Sequence, residues 1–274
     1  MRVWVNGEVK AQAAAVLSVF DHGLTVGHGV FETIKVVNGI PFALTRHLNR
    51  LVSSACGLGL PEPDLDMVRH AVREVLAAND SGGLARLRIT YTGGPSPFGY
   101  QRGSSGPSLI VAVAPIEAPS PSATVMSVPW PRNEHAATAG LKTISYAENV
   151  VAAAYATVRG VSEALFANTV GNLCEGAGSN IFLALRGRLI TPPLSAGCLA
   201  GVTRALVLEW AEVIEEDIPL TALAEADEVF LTSATRDIQP VGEVNGRLMA
   251  SVPGVLTHQA MKTFAKRSTL VCDP

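Results

Sequence analysis

Two Asn-Gly dipeptides, at residues 6–7 and 38–39, constrain the fold of this chain more than any other local feature. Each lies between short runs rich in β-branched and aromatic residues, "RVWV" and "EV" around the first and "GVFETIKVV" and "IPFAL" around the second. Asn-Gly between such runs is a strong local signal for a β-hairpin. The first part of the chain is therefore predicted to contain antiparallel sheet.

Segments with helical periodicity alternate with these strand-like runs. Leu44, Leu48 and Leu51 recur near helical spacing, and Gly57 ends that segment. A second helix is predicted to begin with Asp64 or Asp66 as its cap. Later segments also read as helices, at 145–158, 200–213 and 255–267, with strand-like runs between them. Both halves of the chain thus mix strands with helices, which indicates an α+β fold class.

The length of 274 residues allows one large domain or two of medium size. The segment "APIEAPSPSATV", residues 114–125, is rich in Pro, Ser and Ala, as linkers often are. We therefore predict an N-terminal α/β domain over 1–113, an interdomain linker over 114–125 and a C-terminal domain over 126–274.

Composition narrows the class of protein. Hydrophobic residues make up 48% of the chain and the net charge is −3, which favours a sizeable core and argues against nucleic acid or an anionic membrane as the main partner. No apolar run reaches the roughly 18 residues of a membrane span, and the N-terminus lacks the apolar core of a signal peptide. The four cysteines are scattered, with no spacing typical of zinc ligands. We interpret them as reduced thiols of a cytoplasmic protein and expect no metal site.

Lys142 differs from the other four lysines in its setting. It stands in "AGLKTISYAENV", just before a helix whose first turns are small and polar. Taken alone, such a lysine is more often a solvated surface residue. The functional alternative is an amine desolvated enough to be neutral and to form an imine.

One acid, Glu175, stands in the small-residue stretch "LCEGAGSNIF", residues 173–182. Apolar strand-like residues follow at once, so we expect the acid to lie close to the interior. A solvated acid needs no such setting, whereas an acid that touches a flat ligand does.

Three further segments offer donors for an anion. Val202 and Thr203 stand at a predicted helix start, where free N–H groups and the helix dipole favour negative charge, although Thr203 is equally suited to be an ordinary cap. Arg46 and Arg50 share one helix face and form either a rim or a phosphate site. The stretch 232–237, "TSATRD", is either a plain loop or a set of hydroxyl donors. An amine, an acid and three groups of anion donors together suit a phosphorylated aldehyde with a basic ring nitrogen.

The stretch 175–204 resembles the signature of class IV aminotransferases, the fold type IV enzymes that use pyridoxal phosphate. The residues that carry the resemblance are Glu175, Ala177, Asn180, Ile181, Phe182, Leu189, Thr191, Leu199, Gly201, Val202 and Arg204. The resemblance extends to "DHGLTVGHGVFETIKVVNG", "RHLNRL" and "DEVFLTSATRDIQPV", and so covers nearly the whole chain.

The resemblance implies a two-domain fold type IV architecture in which each domain mixes a sheet with helices. It places pyridoxal 5'-phosphate between the domains, near a homodimer interface, and makes 126–274 the cofactor-binding domain. Lys142 is then the Schiff-base lysine and the general base and acid. Glu175 is the partner of the pyridine nitrogen, which it keeps protonated.

The resemblance also assigns the cofactor phosphate. Arg50 matches the phosphate arginine, and Val202 and Thr203 match a cup at the helix start. Ser233 and its neighbour Ala234 add donors. The family often has Thr where this chain has Ala234, so that donor is either missing or supplied by Thr235.

The family contains branched-chain, D-amino acid and R-amine transaminases and aminodeoxychorismate lyases. The loop 90–103 lacks the Arg-x-His carboxylate trap of the D-amino acid group, and the arginine strand of the branched-chain group is not evident. "GGPSPFGY" and "GVFET" look more like the lyases. We therefore favour aminodeoxychorismate lyase, which eliminates pyruvate to give 4-aminobenzoate, a folate precursor. An amino acid transaminase of branched-chain or D-amino acid type is the alternative, and a non-catalytic binding protein is a remote one.

Candidates to hold substrate carboxylates lie outside the signature. They are His28, Tyr100 and Arg102, with Arg132 and Arg236 as further possibilities. His28 is equally suited to be a satisfied core or interface histidine.

Overall fold

The computed structural model describes residues 1–79 and 82–274. These residues form two compact units: the first comprises Met1–Ala118, Leu141–Ser145 and Cys272–Pro274, and the second comprises Pro119–Gly140 and Tyr146–Val271. Each unit contains its own sheet and its own helices, which confirms the α+β fold class. Lys142 belongs to the first unit, although the chain before and after its segment belongs to the second.

The first unit is built on a six-stranded sheet. Its strands are β1 (Arg2–Val5), β2 (Glu8–Ala11), β3 (Gly29–Val37), β4 (Ile40–Pro41), β5 (Leu84–Thr92) and β6 (Ser108–Pro115). They lie in the order β2-β1-β6-β5-β3-β4, and every neighbouring pair is antiparallel. The dipeptides at 6–7 and 38–39 join β1 to β2 and β3 to β4, with positive φ at both positions of each, as a type I′ turn requires. Both predicted hairpins are confirmed.

Three helices belong to the first unit. They are α1 (His22–Thr25), α2 (Leu44–Gly57) and α3 (Leu65–Ala78), and a short 3-10 turn covers Gln12–Ala14. The side chain of Asp64 accepts hydrogen bonds from the backbone N–H groups of Asp66 and Met67, so Asp64 is the cap of α3. Apolar residues of α2 and α3 pack with the sheet in one core, and Leu48 and Leu51 are fully buried there. This packing orients α2 so that its polar face points toward β3.

Lys35 is more buried than its place in an alternating strand predicts. An outward lysine is common in such a strand, yet Lys35 is only 8% exposed. Its ammonium lies 5.0 Å from the centroid of the Phe42 ring, and the backbone N–H of Phe42 donates to the carbonyl of Lys35. The hairpin thus brings an aromatic ring to the lysine, which stabilises the charge there.

The second unit has nine strands in one mixed sheet. They are β7 (Ala123–Ser127), β8 (Glu163–Ala167), β9 (Leu173–Gly176), β10 (Asn180–Leu185), β11 (Arg188–Thr191), β12 (Ile214–Glu215), β13 (Glu228–Ser233), β14 (Asp237–Val244) and β15 (Arg247–Leu248). The order is β12-β11-β10-β13-β14-β7-β8-β9, and β15 pairs with β14. β7 runs parallel to both β14 and β8.

Three α-helices and two 3-10 helices complete the second unit. They are α4 (Ala147–Thr157), α5 (Val202–Trp210) and α6 (Val255–Leu270), with 3-10 turns at Leu194–Ala196 and Leu220–Ala224. Glu175 is the next-to-last residue of β9, and the small residues after it form the turn into β10. Beyond that turn, Ile181 and Leu183 lie in the main core and Phe182 stacks on Phe230 with ring centroids 4.7 Å apart. The acid therefore stands at a strand end with rigid structure behind it.

Across residues 1–79 and 82–274, none of the helices has the length and apolar character needed to cross a membrane. The same residues contain no cluster of three His, Cys, Asp or Glu side chains placed to bind a metal ion.

Candidate active site

Lys142 is fixed to the first unit through its backbone. Its carbonyl accepts a hydrogen bond from the N–H of Phe31 at 3.0 Å, and its N–H donates to the hydroxyl of Ser54 at 3.1 Å. The next residue, Thr143, forms an antiparallel bridge with Val30. The Lys142 ammonium lies 4.3 Å from the centroid of the Phe31 ring. A short stretch paired with β3 thus holds this amine against an aromatic ring.

The Phe31 ring contacts a second cation. The guanidinium carbon of Arg88 lies 3.4 Å from the ring centroid, and Arg88 Nε donates to the hydroxyl of Thr90 at 3.3 Å. Arg88 is on β5, where it pairs with Thr33 of β3. Sequence reasoning did not select Arg88. The signal available was an arginine that alternates with buried residues in a central strand.

A buried ion cluster lies on the inner side of β3. Glu32 is fully buried; it accepts hydrogen bonds from Arg50 Nε at 2.8 Å and Arg50 Nη2 at 2.7 Å, and from His47 Nδ1 at 2.7 Å. Arg50 and His47 are both on α2, three residues apart. The bidentate pair is the strongest geometry for Arg with a carboxylate. An anion bound by Arg50 would therefore meet a guanidinium that Glu32 already orients.

The charges of this cluster shift the pKa values of its members. Burial acts to raise the pKa of Glu32, but the charge of Arg50 and the hydrogen bonds from Arg50 and His47 outweigh it and lower the pKa to about 2. Burial lowers the pKa of His47 below its ordinary value, although Glu32 opposes the change; Lys142 adds a small contribution in the same direction as burial. Glu32 is therefore ionised and His47 neutral at pH 7.

In the second unit, the two carboxylate oxygens of Glu175 lie close to different N–H groups. Oε2 accepts a hydrogen bond from the backbone N–H of Leu199 at 2.9 Å, and Oε1 lies 3.5 Å from Arg132 Nε. The Glu175 side chain is 13% exposed. Both oxygens of this carboxylate therefore lie close to N–H groups of the second unit.

The small residues after Glu175 make room for a second buried acid, Glu163. The Oε1 atom of Glu163 accepts a hydrogen bond from the N–H of Gly178 at 2.7 Å, and Oε2 pairs with Arg236 Nη1 at 2.7 Å. A Cβ on Gly176 would meet this carboxylate and the hydroxyl of Ser179. Glu163 thus connects the turn after β9 to the loop after β13. Arg236, a candidate for a substrate carboxylate, is engaged with a protein carboxylate instead.

The start of α5 is left without a side-chain cap. The N-cap is Gly201, not Thr203, and as a glycine it has no side chain to accept a hydrogen bond from the first turn. A Cβ on Gly201 would collide with Asn180 Oδ1, while Asn180 Nδ2 donates to the carbonyl of Leu199. Val202 and Thr203 are nearly fully buried. Backbone N–H groups at an uncapped helix start are suited to an anion, and the anion site at Val202 and Thr203 stays a prediction.

The loop after β13 supplies hydroxyl groups. Ser233 ends the strand, and Arg236 N–H donates to its carbonyl at 3.2 Å, which makes 233–236 a turn. The Thr232 hydroxyl is buried and has no hydrogen-bond partner within residues 1–79 and 82–274. An orphaned buried hydroxyl suggests a partner other than the chain itself. Ala234 follows with no side-chain donor.

The substrate candidates of the first unit have different surroundings. His28 Nε2 is 3.0 Å from the carbonyl of Leu58, while Nδ1 is buried and lacks a hydrogen-bond partner in the part of the chain that the structure describes. Tyr100 is 84% exposed, and Arg102 is exposed as well. Burial raises the pKa of Tyr91, and the positive charge of Arg102 opposes that rise. The structure therefore leaves the two loop residues accessible and gives His28 one structural contact.

Two buried thiols lie near Glu175. Burial raises the pKa of Cys174, and it raises that of Cys198 to about 12; the negative charge of Glu175 adds to both shifts. Both thiols are protonated at neutral pH and are poor nucleophiles.

Comparison with known proteins identifies the family. The family model described as amino-transferase class IV matches residues 29–244, and this chain belongs to that family. It is 32% identical to an aminodeoxychorismate lyase of Bacillus subtilis over 96% of this chain and 94% of that protein. It is 30% identical to a bifunctional aminodeoxychorismate lyase / D-amino acid transaminase of Mycobacterium tuberculosis, over 92% and 94%. A branched-chain aminotransferase from Thermoproteus uzoniensis has a similar structure, with a TM-score of 0.90, 28% identity and coverage of 97% and 94%.

Class IV aminotransferases use pyridoxal phosphate, and the described residues suit that group. The first unit offers an amine against an aromatic ring at Lys142. The second offers an acid at a strand end, an uncapped helix start and an orphaned buried hydroxyl at Thr232. An amine can react with an aldehyde, a carboxylate can accept a hydrogen bond from a protonated ring nitrogen, and N–H and O–H groups can donate to a phosphate.

Proposed function

We propose that this enzyme is an aminodeoxychorismate lyase, which converts aminodeoxychorismate to pyruvate and 4-aminobenzoate. The observation that carries the proposal is the Phe31 cluster, in which one aromatic ring contacts both the Lys142 amine and the Arg88 guanidinium. Two cations held close together on one buried ring suit a substrate that bears carboxylates. The exposed loop with Tyr100 and Arg102, which lacks an Arg-x-His trap, supports the same group of enzymes.

The reaction needs no oxidant and no amino-group acceptor. The C4 proton leaves the ring, the bond between C3 and the enolpyruvyl oxygen breaks, and the ring becomes aromatic. The released enol takes up a proton and becomes pyruvate, so atoms and charges balance. Pyridoxal phosphate, when bound, supplies the electron sink that makes the C4 proton acidic. Lys142 is the group that takes this proton and returns it to the leaving fragment.

The other residues hold the reactants. Glu175 is the partner of the pyridine nitrogen. The position of Glu175 at a rigid strand end favours a fixed orientation of its carboxylate. The phosphate is bound by Arg50, by the helix start at Val202 and Thr203, and by the loop at Ser233. The residues of that loop include Ala234, which offers its backbone N–H, and Thr235, which offers a hydroxyl. We assign the substrate carboxylates to Arg88 and Arg102, with Tyr100 and His28 as further candidates.

A transaminase of branched-chain or D-amino acid type is the second candidate. It is favoured by the likeness to the Thermoproteus uzoniensis structure and to the bifunctional mycobacterial protein. The two functions differ in one requirement: a transaminase needs a keto acid to accept the amino group, and a lyase does not.

The deciding experiment supplies aminodeoxychorismate to the holoenzyme without any keto acid. We expect pyruvate and 4-aminobenzoate to form in equal amounts. Lys142→Ala should abolish both, while Lys262→Ala, on the exposed face of α6, should not. No product from aminodeoxychorismate, together with amino transfer between amino acids and keto acids, would replace the lyase by the transaminase.

A second measurement tests the cofactor attachment alone. Borohydride reduction followed by peptide mass analysis should locate the cofactor on Lys142. Attachment at another lysine would refute the role of Lys142 without bearing on the substrate.

We also propose that the enzyme is a homodimer that associates through the first unit. The segment 16–26 exposes several large apolar side chains: Val16 is 71% exposed, Val19 68% and Leu24 72%. Such a patch on one segment is typical of an interface. Sedimentation should give twice the mass of the chain, and Leu24→Asp should shift the protein toward monomer. A wild-type protein that sediments as a monomer at all concentrations would contradict the proposal.

A further inference from the structure

Arg132 joins Glu175 to a set of other acceptors in the second unit. Its Nη1 atom donates to Glu148 Oε2 at 3.0 Å and to Asn149 Oδ1 at 3.3 Å. Its Nε atom faces Glu175 Oε1 at 3.5 Å. The backbone N–H of Arg132 donates to the carbonyl of Ala167 at 2.7 Å, which fixes the base of the side chain. The guanidinium is therefore held from several directions.

The surroundings of Arg132 strengthen its charge interactions. Its side chain is 15% exposed, and its guanidinium carbon lies 4.2 Å from the ring centroid of Phe166, a core residue. Stacking on an aromatic face favours the cation, and partial exclusion of water reduces screening. The pair with Glu175 is thus more than a surface ion pair, which is usually worth little.

The contact with Glu175 is electrostatic rather than a formed hydrogen bond. Arg132 Nε is buried and makes no hydrogen bond to any described residue, and the 3.5 Å separation from Oε1 is long for one. Oε2 of Glu175, by comparison, accepts a hydrogen bond from the Leu199 N–H at 2.9 Å. Arg132 therefore supplies positive charge beside the acid.

We propose that Arg132 is a positioning residue that keeps Glu175 ionised and aimed at the cofactor ring nitrogen. The inference rests on the proposed role of Glu175. A neighbouring positive charge favours the ionised form of a carboxylate, and an ionised Glu175 in turn favours a protonated ring nitrogen. It also replaces the substrate-binding role that the sequence allowed for Arg132, because Nε and Nη1 face acceptors of the protein.

The test compares Arg132→Gln with Arg159→Gln. Arg159 is an exposed arginine of the same unit that stacks on Tyr155, so its substitution removes the same charge elsewhere. The visible absorbance of the bound cofactor is titrated with pH in each holoenzyme, and kcat and KM are measured. We expect Arg132→Gln to shift the titration by about one pH unit and to lower kcat by about tenfold or more with little change in KM. Arg159→Gln should match the wild type in both.

Double variants identify the route of the effect. If Arg132 acts through Glu175, adding Arg132→Gln to Glu175→Gln should cost little further activity. A titration and kcat unchanged in Arg132→Gln would overturn the inference. If Glu175→Gln is itself as active as the wild type, the proposed role of Glu175 is wrong. That outcome differs from a failure of the Arg132 inference alone, in which only Arg132→Gln matches the wild type.

A conservative variant guards against misfolding. Should Arg132→Gln lack a native circular dichroism spectrum, Arg132→Lys takes its place, because it retains the charge but not the fixed plane. We expect Arg132→Lys to recover part of the wild-type titration. A fully wild-type titration and kcat in Arg132→Lys would show that charge alone, not orientation, is needed, and would overturn the positioning role.

Discussion

The burial of Glu32 can be predicted from the sequence of the strand around it. Val30, Ile34 and Val36 share one face of β3 and are all fully buried, and Glu32 lies in the same row. An acid in such a row must be paired, because a lone buried charge is too costly. The partners of Glu32 cannot be predicted in this way, because His47 and Arg50 come from a helix that only tertiary packing brings to β3.

Glu32 should also give the stability of the protein a defined acid limit. Because folding lowers its pKa from 4.5 to about 2, the unfolded state binds the proton more readily than the folded state. The stabilisation, on the order of 3 kcal/mol, is complete above about pH 5 and is lost as the pH falls through 4.5 toward 2. His47 acts in the same direction, since its lowered pKa makes protonation of the folded state unfavourable below its ordinary value.

Urea unfolding at pH 7 and at pH 4 measures this effect. Glu32→Gln should lower the free energy of unfolding at pH 7 by about 3 kcal/mol, because it removes the carboxylate charge that faces the half-buried Arg50, and it should flatten the dependence on pH. The control is Glu225→Gln, which breaks the exposed pair with Arg186 and should cost less than about 1 kcal/mol. Equal losses in the two variants would contradict the role assigned to Glu32.

At the scale of elements, α2 depends on a distant part of the chain for its first turn. Its N-cap, Ala43, has φ +53 and no side chain that can accept a hydrogen bond. Asp273 takes that place: it accepts from the Thr45 N–H at 2.8 Å and from the Thr45 hydroxyl at 2.6 Å. Cys272 adds a carbonyl that accepts from the N–H of Ala43 at 2.7 Å. Because 228 residues separate cap and helix, no local pattern predicts it.

Asp273→Ala should therefore destabilise α2 and the groups that it carries. We expect a loss of about 1 kcal/mol in the free energy of unfolding, the usual value of an N-cap, and Asp273→Asn should retain most of it. Thermal unfolding monitored by circular dichroism compares the three proteins. If Asp273→Asn were as unstable as Asp273→Ala, the contribution would come from charge and not from capping.

The start of α5 depends on a glycine for a different reason. A Cβ at Gly201 would displace Asn180, which holds the carbonyl of Leu199. Leu199 in turn donates its N–H to Glu175. A methyl group added at Gly201 would therefore displace Asn180, then Leu199, and through Leu199 the Glu175 carboxylate.

Gly201→Ala is expected to weaken cofactor binding by about tenfold or more, because it disturbs both the uncapped helix start and Glu175. Gly178→Ala is the matched control, since a Cβ there has its nearest neighbour at 3.8 Å, an ordinary contact. Fluorescence titration of the apoprotein with pyridoxal phosphate gives both affinities. Equal affinities for the two variants would show that the close approach at Gly201 does not matter.

For the molecule as a whole, the sequence predicts the α+β class, the first two hairpins and the family, because each follows from local patterns or from a contiguous signature. It does not predict that Leu141–Ser145 joins the first unit, since that depends on the bridge between Val30 and Thr143. The phosphate and ring-nitrogen candidates come from the signature and from the other stretches that resemble the family, those around Arg50 and Ser233. Glu163 and Arg88, by contrast, are recognised only from the distances between strands and loops.

The four cysteines provide a whole-molecule test of the structure. Cys56 and Cys272 are exposed, whereas Cys174 and Cys198 are buried and have raised pKa values. A thiol reagent should therefore modify two cysteines in the native protein and all four in denaturant. Fast reaction of Cys174 or Cys198 in the native state, located by mass analysis, would place those thiols differently.

The division of the chain has a consequence for the order in which the protein is made. Translation delivers Met1–Ala118 before the segment with Lys142, which emerges only after Pro119–Gly140, and Asp273 follows the rest of the second unit. The strands of the first unit are therefore made before the Lys142 amine and before the residue that caps α2. A nascent chain halted after residue 118 carries all six strands of the first sheet but neither Lys142 nor Glu175.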